Sequence, residues 1–367
     1  MRNGRGEGDR DNESRTAHMR SVTQRKKSTF VRFVTFVVRP VFVTLQDVLD
    51  ARARVYAFMR PSSMLRHPLL DQWLGCEAWV KHENHNPTGA FKIRGGLNLI
   101  AQLTADERRR GVVSASTGNH GQSIALASRI HGVTCRIFVP VGNNPDKNAG
   151  MRAYGAEVIE HGRDYDEARE RVEELVAREG WRYIHSANEP HLIAGVGTCA
   201  AEMFEEVPDL DYVFVPIGGG SGASACCIVR GGISSKAKVV GVQASGADAF
   251  TRSWRGSERV TADRVDTFAE GMATRVTFDL TFAILKEQLD DIVTLDEPEL
   301  EEGVRAALRF THNLAEGSGA APLAAAKKYG SKLAGKTIGC VMSGGNIDTR
   351  TLTRILAGPQ GPALQSS

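Results

Sequence analysis

The chain has 367 residues, 41% of them apolar and 24% charged, enough to bury a large core and to divide into two lobes. Its net charge of +3 is uneven: residues 1–40 carry ten Lys/Arg against four Asp/Glu, which leaves 36 against 39 for the rest. A near-neutral body with no basic face argues against a nucleic-acid partner, and six scattered cysteines without a CxxC pair or zinc spacing point to buried free thiols in a reducing, cytoplasmic setting.

Residues 1–28 are polar and poor in apolar side chains, the composition of disorder. The apolar run from Phe30 to Pro40 is cut by Arg32 and Arg39, too short and too charged to span a membrane or to act as a signal peptide. Glu7, Asp9, Asp11 and Glu13 fit a transit peptide poorly, so residues 1–42 are expected to be a loosely attached extension, with an extra strand or packing arm as the alternative.

From Val43 the pattern is regular. Thr44 caps a helix through Leu49; Glu77–Lys81 is a strand; a Pro87-Thr88-Gly89 turn, with Thr88 as N-cap, opens a helix through Leu97, Ile100 and Leu103. Strand-like Gly111–Ala115, Thr134–Pro140 and Glu157–Ile159 alternate with helices over Gln122–Arg129, Asn148–Tyr154 and Asp164–Glu179. Strands follow at Asp211–Pro216, Lys238–Val242 and Thr337–Met342, and no internal repeat is present. Alternation of strand and helix predicts an α/β fold with parallel sheets covered on both faces.

Four segments carry chemistry. Lys92 lies between Phe91 and Ile93 at a helix start, where the dipole disfavours an ammonium and a neutral amine suits imine chemistry. Ser116-Thr117-Gly118-Asn119-His120-Gly121 offers hydroxyls, N–H groups and an amide at a helix start, suited to a carboxylate or a ring oxygen. Gly218-Gly219-Gly220-Ser221-Gly222 spends so much chain entropy on glycine that close backbone approach to a phosphate explains it better than a turn does. A dinucleotide site would need an acid ending the next strand, and Val242-Gln243-Ala244-Ser245 has none. Ser343-Gly344-Gly345-Asn346 ends the last strand. A buried-type lysine and a phosphate cradle, with polar turns between them, suit a phosphorylated aldehyde, pyridoxal phosphate (PLP).

Residues 44–356 resemble the fold-type II PLP enzymes (tryptophan synthase β-like), within them the threonine/serine dehydratase and serine racemase branch. The matching elements are Phe91-Lys92-Ile93-Arg94-Gly95, Ser116–Gly121, the glycine loop, Glu316-Gly317-Ser318-Gly319 and Ser343–Asn346. The resemblance implies two domains, each an open parallel sheet flanked by helices: residues 43–100 with 190–360 form the large PLP-binding domain and 101–189 the small one. Lys92 would hold the cofactor as an imine and then remove the substrate's α-proton. Phe91 would stack on the ring, Asn119 would meet the ring hydroxyl, and Ser343 the pyridine nitrogen. Gly218, Gly219, Gly220 and Ser221 would bind the phosphate; Ser116, Thr117 and His120 would hold the substrate carboxylate; Gly271, in Phe268-Ala269-Glu270-Gly271, would line the cavity. A neutral hydroxyl at the pyridine nitrogen favours loss of a β-hydroxyl over full carbanion chemistry.

Three departures shape the expected activity. Thr117 stands where the racemase pattern has a second-face serine, and its methyl stiffens χ1. Gln243 and Ala249 take the acidic positions of the racemase divalent-metal site, so no metal is expected. About 21 residues follow Asn346, which resembles the short, catabolic dehydratases. The implied activity is β-elimination of L-threonine or L-serine to the 2-oxo acid and ammonia, in a homodimer or tetramer. Alternatives are a lyase for another β-substituted amino acid (ectoine-pathway or hydroxyaspartate type), a serine racemase, and, from a different class, a PLP-binding protein with a binding or regulatory role.

Overall fold

A computed structural model describes residues 43–358; the extension expected over residues 1–42 lies outside it. In chain order the elements are α1 (Leu45–Tyr56), β1 (Met64–Arg66), α2 (Pro68–Leu74), β2 (Glu77–His82), α3 (Lys92–Ala101), α4 (Ala105–Arg110), β3 (Val112–Ala115), α5 (Asn119–Ile130), β4 (Cys135–Val139), α6 (Pro145–Ala153), β5 (Glu157–Glu160) and α7 (Tyr165–Glu179). They continue with β6 (Arg182–Tyr183), α8 (Pro190–Glu206), β7 (Tyr212–Pro216), α9 (Ser221–Gly232), β8 (Lys238–Ala244), α10 (Ala249–Arg255), α11 (Asp279–Gln288), β9 (Asp291–Leu295), α12 (Glu297–Thr311), α13 (Gly317–Tyr329), β10 (Thr337–Met342) and α14 (Thr349–Ala357).

Two sheets organise these elements: a six-stranded one in the order β1-β2-β10-β7-β8-β9, and a four-stranded one in the order β5-β4-β3-β6. Their central strands are apolar runs, Tyr212-Val213-Phe214-Val215 unbroken and Cys135–Val139 interrupted only by the half-buried Arg136. Helices cover both faces of such strands. All pairings are parallel except β1 with β2, an antiparallel edge strand of three residues that the periodicity does not reveal. α13 runs through the interior, its residues Gly317–Ala326 all buried, because small side chains let it lie close to α12 and β10. Among the described residues no helix is long and apolar enough to cross a membrane, and all six cysteines are buried with free thiols.

One buried charge network fixes the start of α3. Arg94 donates to Glu83 (2.7 and 2.8 Å) and to Glu202 (2.5 and 2.8 Å), and Lys81 also donates to Glu202 at 2.6 Å. All four side chains are buried, so each charge depends on the others for the solvation it has lost.

Candidate active site

The lysine segment is stitched to the turn after β10. Phe91 N–H donates to the Ser343 carbonyl (2.9 Å), Gly345 N–H to the Gly89 carbonyl (2.9 Å), and Ala90 forms an antiparallel bridge with Gly344. Gly89 sits at φ +66°, and a Cβ there would lie 2.6 Å from Asn346 Oδ1, so only glycine passes this turn. The stitching takes up residues 89–91, and α3 begins at Lys92 with Phe91 as N-cap. Thr88 is therefore not the cap that its position in the sequence indicates. Its carbonyl accepts from Asn346 Nδ2 (2.8 Å), and its hydroxyl is buried without a partner.

Lys92 opens α3 from inside a cavity of about 270 Å³ between the two sheets. Its Nζ donates to Ser221 Oγ at 2.8 Å and to the Ser186 carbonyl at 3.2 Å. Burial lowers its pKa from 10.5 to about 8, with no carboxylate offsetting the desolvation. The turns after β3, β7 and β10 open into the same cavity, at the carboxyl ends of their strands. Every residue singled out from the sequence lines it: Phe91, Lys92, Ser116, Thr117, Asn119, His120, Gly218, Gly219, Gly220, Ser221, Gly271 and Ser343.

The glycine loop is built as a cradle. Thr274 Oγ1 donates to the Gly218 carbonyl (3.4 Å) and Thr281 Oγ1 to that of Gly219 (2.7 Å). Peptide planarity then turns the following N–H groups the opposite way. A Cβ on Gly218 would collide with the Gly271 carbonyl oxygen, and Gly220 (φ +88°) leads into α9, whose N-terminus favours an anion.

In the turn after β3, Ser116 Oγ accepts from Gly118 N–H (3.1 Å) and Gly121 N–H (2.9 Å), leaving its own proton to donate. Asn143 Nδ2 holds the Thr117 carbonyl at 3.2 Å. Ser114 Oγ donates to the Ile184 carbonyl (2.7 Å), so His120 Nε2, 3.0 Å from Ser114 Oγ, is the donor in that pair. Burial lowers the His120 pKa to about 3, and its Nδ1 is buried without a partner. The ring is neutral with its N–H turned inward, so what His120 offers a carboxylate is its backbone N–H in the first turn of α5.

Residues that the sequence left unassigned complete the wall: Lys147, Tyr165, Ser186, Glu270, Thr274 and Glu316. Glu316 accepts from Asn119 Nδ2 (2.7 Å) and Ser318 Oγ (3.0 Å), and burial raises its carboxyl pKa. Asn119 Oδ1 accepts from Asn346 Nδ2 at 2.7 Å, so the amide is fixed with one Nδ2 proton left over. Glu270 and Glu316 stand in motifs quoted above, whereas Lys147, one lysine on the polar helix α6, carries no signal of its own.

A lysine of lowered pKa, a cradle that glycine alone permits and an oriented amide fit PLP. The model of the family described as "Pyridoxal-phosphate dependent enzyme" matches residues 55–344. The chain is 36% identical to the L-threonine ammonia-lyase of Thermotoga maritima over 86% of its length and 78% of that protein's. It is 33% identical to the L-threo-3-hydroxyaspartate ammonia-lyase of Saccharomyces cerevisiae over 88% and 99%. The structure of maize serine racemase superposes with a TM-score of 0.81 at 27% identity, over 86% of this chain and 97% of that one. The chain belongs to the fold-type II PLP-dependent enzymes, in the branch of threonine dehydratases and serine racemases, and pyridoxal phosphate is its cofactor.

Proposed function

We propose that the protein deaminates L-threonine and L-serine by β-elimination, releasing the 2-oxo acid and ammonia. The supporting observation is how the charges in the cavity are paired. Among the described residues lining it, Lys92 and Lys147 are the only Lys or Arg, and Lys147 is ion-paired with Glu270. With Lys92 committed to the cofactor, the lining offers at most one cation, and the α-carboxylate that every amino-acid substrate carries competes for it. A second, β-carboxylate would go unpaired, which argues against a hydroxyaspartate substrate. A β-hydroxyl with a hydrogen or methyl needs only the polar and small apolar groups that Ser186, Thr274, Val265 and Ala273 provide.

When bound, PLP would supply an aldehyde to condense with the substrate amine and a conjugated ring to take up electrons from the bond to the α-proton. Gly218–Ser221 would hold its phosphate, the remaining Nδ2 proton of Asn119 its ring hydroxyl, and Ser343 its ring nitrogen. Phe91 and Gly271 would face the ring. Lys92, whose lowered pKa of about 8 makes its neutral amine accessible near neutral pH, would accept the α-proton. The first turn of α5 and the Ser116 hydroxyl would hold the α-carboxylate. The β-hydroxyl would depart as water, taking the proton that Lys92 had accepted from the α-carbon, and hydrolysis of the released enamine would yield the oxo acid and ammonia. Thr117 keeps a hydroxyl in the turn beside Ser116, but its methyl and a backbone fixed through Asn143 favour elimination over racemisation.

The direct test is 2-oxo acid release from L-threonine and L-serine by purified holoenzyme, with Lys92→Ala as control. Release that the control abolishes supports the reading. No release from either substrate while the cofactor is visibly bound rejects it and shifts attention to other β-substituted amino acids.

A further inference from the structure

Lys147 is buried, yet it lies on the helix that packs behind the carboxylate-binding turn. A Cβ on Gly118 would lie 2.9 Å from Lys147 Cδ and 3.6 Å from its Nζ, so Gly118 is the residue that lets the lysine pass. Asn143 ties the two pieces together, donating both to the Thr117 carbonyl and to Asn148 Oδ1 (2.6 Å). Met151 closes against Gly121 from the same helix. The ammonium and the first turn of α5 therefore form one unit of the small-sheet lobe, and the partner of Lys147, Glu270, comes from the opposite lobe.

The pair is asymmetric. The Lys147 side chain is 10% exposed and that of Glu270 40%, so Glu270 can swing into water and Lys147 cannot. Burial works against the ammonium, but the Glu316 and Glu270 carboxyls keep its pKa above the ordinary lysine value. Lys92 is committed to the reacting carbon, which leaves Lys147 as the remaining cation on the wall. Exchanging one carboxylate for another on it leaves the buried charge balance unchanged.

We propose that Lys147 is the cation that receives the substrate's α-carboxylate, and that Glu270 holds its place until substrate arrives. This rests on the amino-acid substrate class of the reading above, not on which amino acid is eliminated. Lys147 is thus a substrate-binding residue, and Glu270 a positioning residue that competes with substrate.

The test titrates holoenzyme with L-2-aminobutyrate, which has no β leaving group, and with propylamine, which has no carboxylate, both followed by the cofactor's visible absorbance. Lys147→Gln should weaken L-2-aminobutyrate binding by about tenfold, the loss of one charge-assisted contact, and leave propylamine unchanged. Lys147→Arg should stay within about threefold of the parent, and Glu270→Gln should bind L-2-aminobutyrate equally or more tightly. The lobes remain joined in these variants by Arg275 with Asp166 (2.6 Å) and Asn119 with Glu316 (2.7 Å). Unchanged L-2-aminobutyrate affinity in Lys147→Gln overturns the proposal, as does equal weakening of both ligands in Lys147→Gln and Glu270→Gln, the signature of a simple tether. If Lys147→Gln does not retain cofactor, Glu270→Gln decides: weaker L-2-aminobutyrate binding there rejects the idea. Failure of threonine and serine to eliminate, with these shifts intact, refutes the proposed reaction and leaves the role of Lys147 standing.

Discussion

Lys92 Nζ donates a 2.8 Å hydrogen bond to Ser221 Oγ, so the reactive amine and the first residue of the phosphate cradle are in direct contact across the cavity. The lysine stands at the start of α3 and the serine at the start of α9, two helix N-termini converging on one small space. Both dipoles welcome an anion and disfavour an ammonium, and burial acts in the same sense.

The pH dependence of cofactor capture follows. Desolvation lowers the Lys92 pKa to about 8, so protonation silences the amine below that value and the neutral, nucleophilic form prevails above it. The rate at which cofactor-free protein takes up PLP should rise with pH to about 8 and then flatten. Stopped-flow absorbance reads this directly. A rate still climbing near pH ~10, the ordinary lysine range, would show that Lys92 is not desolvated.

The cradle predicts a sharp response to a single methyl group. A Cβ on Gly218 collides with the Gly271 carbonyl oxygen, a backbone atom with no side-chain freedom to yield. Gly218→Ala should weaken PLP binding by roughly 10- to 100-fold, the scale of a 1–3 kcal/mol overpacking penalty. The fold should survive, because the loop borders an open cavity. Equilibrium dialysis against PLP measures the loss, and far-ultraviolet circular dichroism checks the fold.

The Arg94 network makes a stability prediction. Arg94→Met leaves Glu83 and Glu202 buried with only Lys81 nearby, and should cost about 3–5 kcal/mol in urea unfolding. Glu83 contributes most clearly: its own burial opposes ionisation, but Arg94 outweighs this and holds its pKa down at about 2. The folded value lies below the unfolded one, so this stabilisation is present above the ordinary carboxylate pKa and is lost as pH falls toward 2. A variant as stable as the parent would show that the network is replaceable.

Much of this architecture is legible in the sequence because its signals are local. The run Tyr212–Val215 and the four glycines around Ser221 announce a buried strand and an anion loop without reference to anything distant. The Thr88 cap fails for the opposite reason. Pairing with Ser343–Gly345, more than 250 residues away, delays the helix, and no local pattern encodes that. Lys147 is invisible on the same grounds: Gly118 becomes its neighbour only when α6 packs on the turn before α5, and Glu270 only when the opposite side of the cavity is in place. β1 and β6, of three and two residues, are too short to show a period.

The last prediction concerns divalent metals. Gln243 is buried at the end of β8. Its Nε2 donates to the Ala247 carbonyl (3.1 Å), and its Oε1 accepts from both Thr251 N–H (2.8 Å) and Thr251 Oγ1 (2.7 Å). A neutral amide thus satisfies a carbonyl that a cation would otherwise draw on, and its charge-free oxygen is already spent. Activity should be the same with and without EDTA, and added magnesium or calcium should neither stimulate it nor raise the melting temperature. Gln243→Glu sharpens the test: it introduces a carboxylate that would face the Ala247 carbonyl, so the variant should lose stability by about 1–3 kcal/mol. Metal-dependent recovery of that stability in the variant alone would show that the amide stands in for a cation. Loss of parent activity in EDTA, restored by magnesium, would show that the protein holds a metal elsewhere.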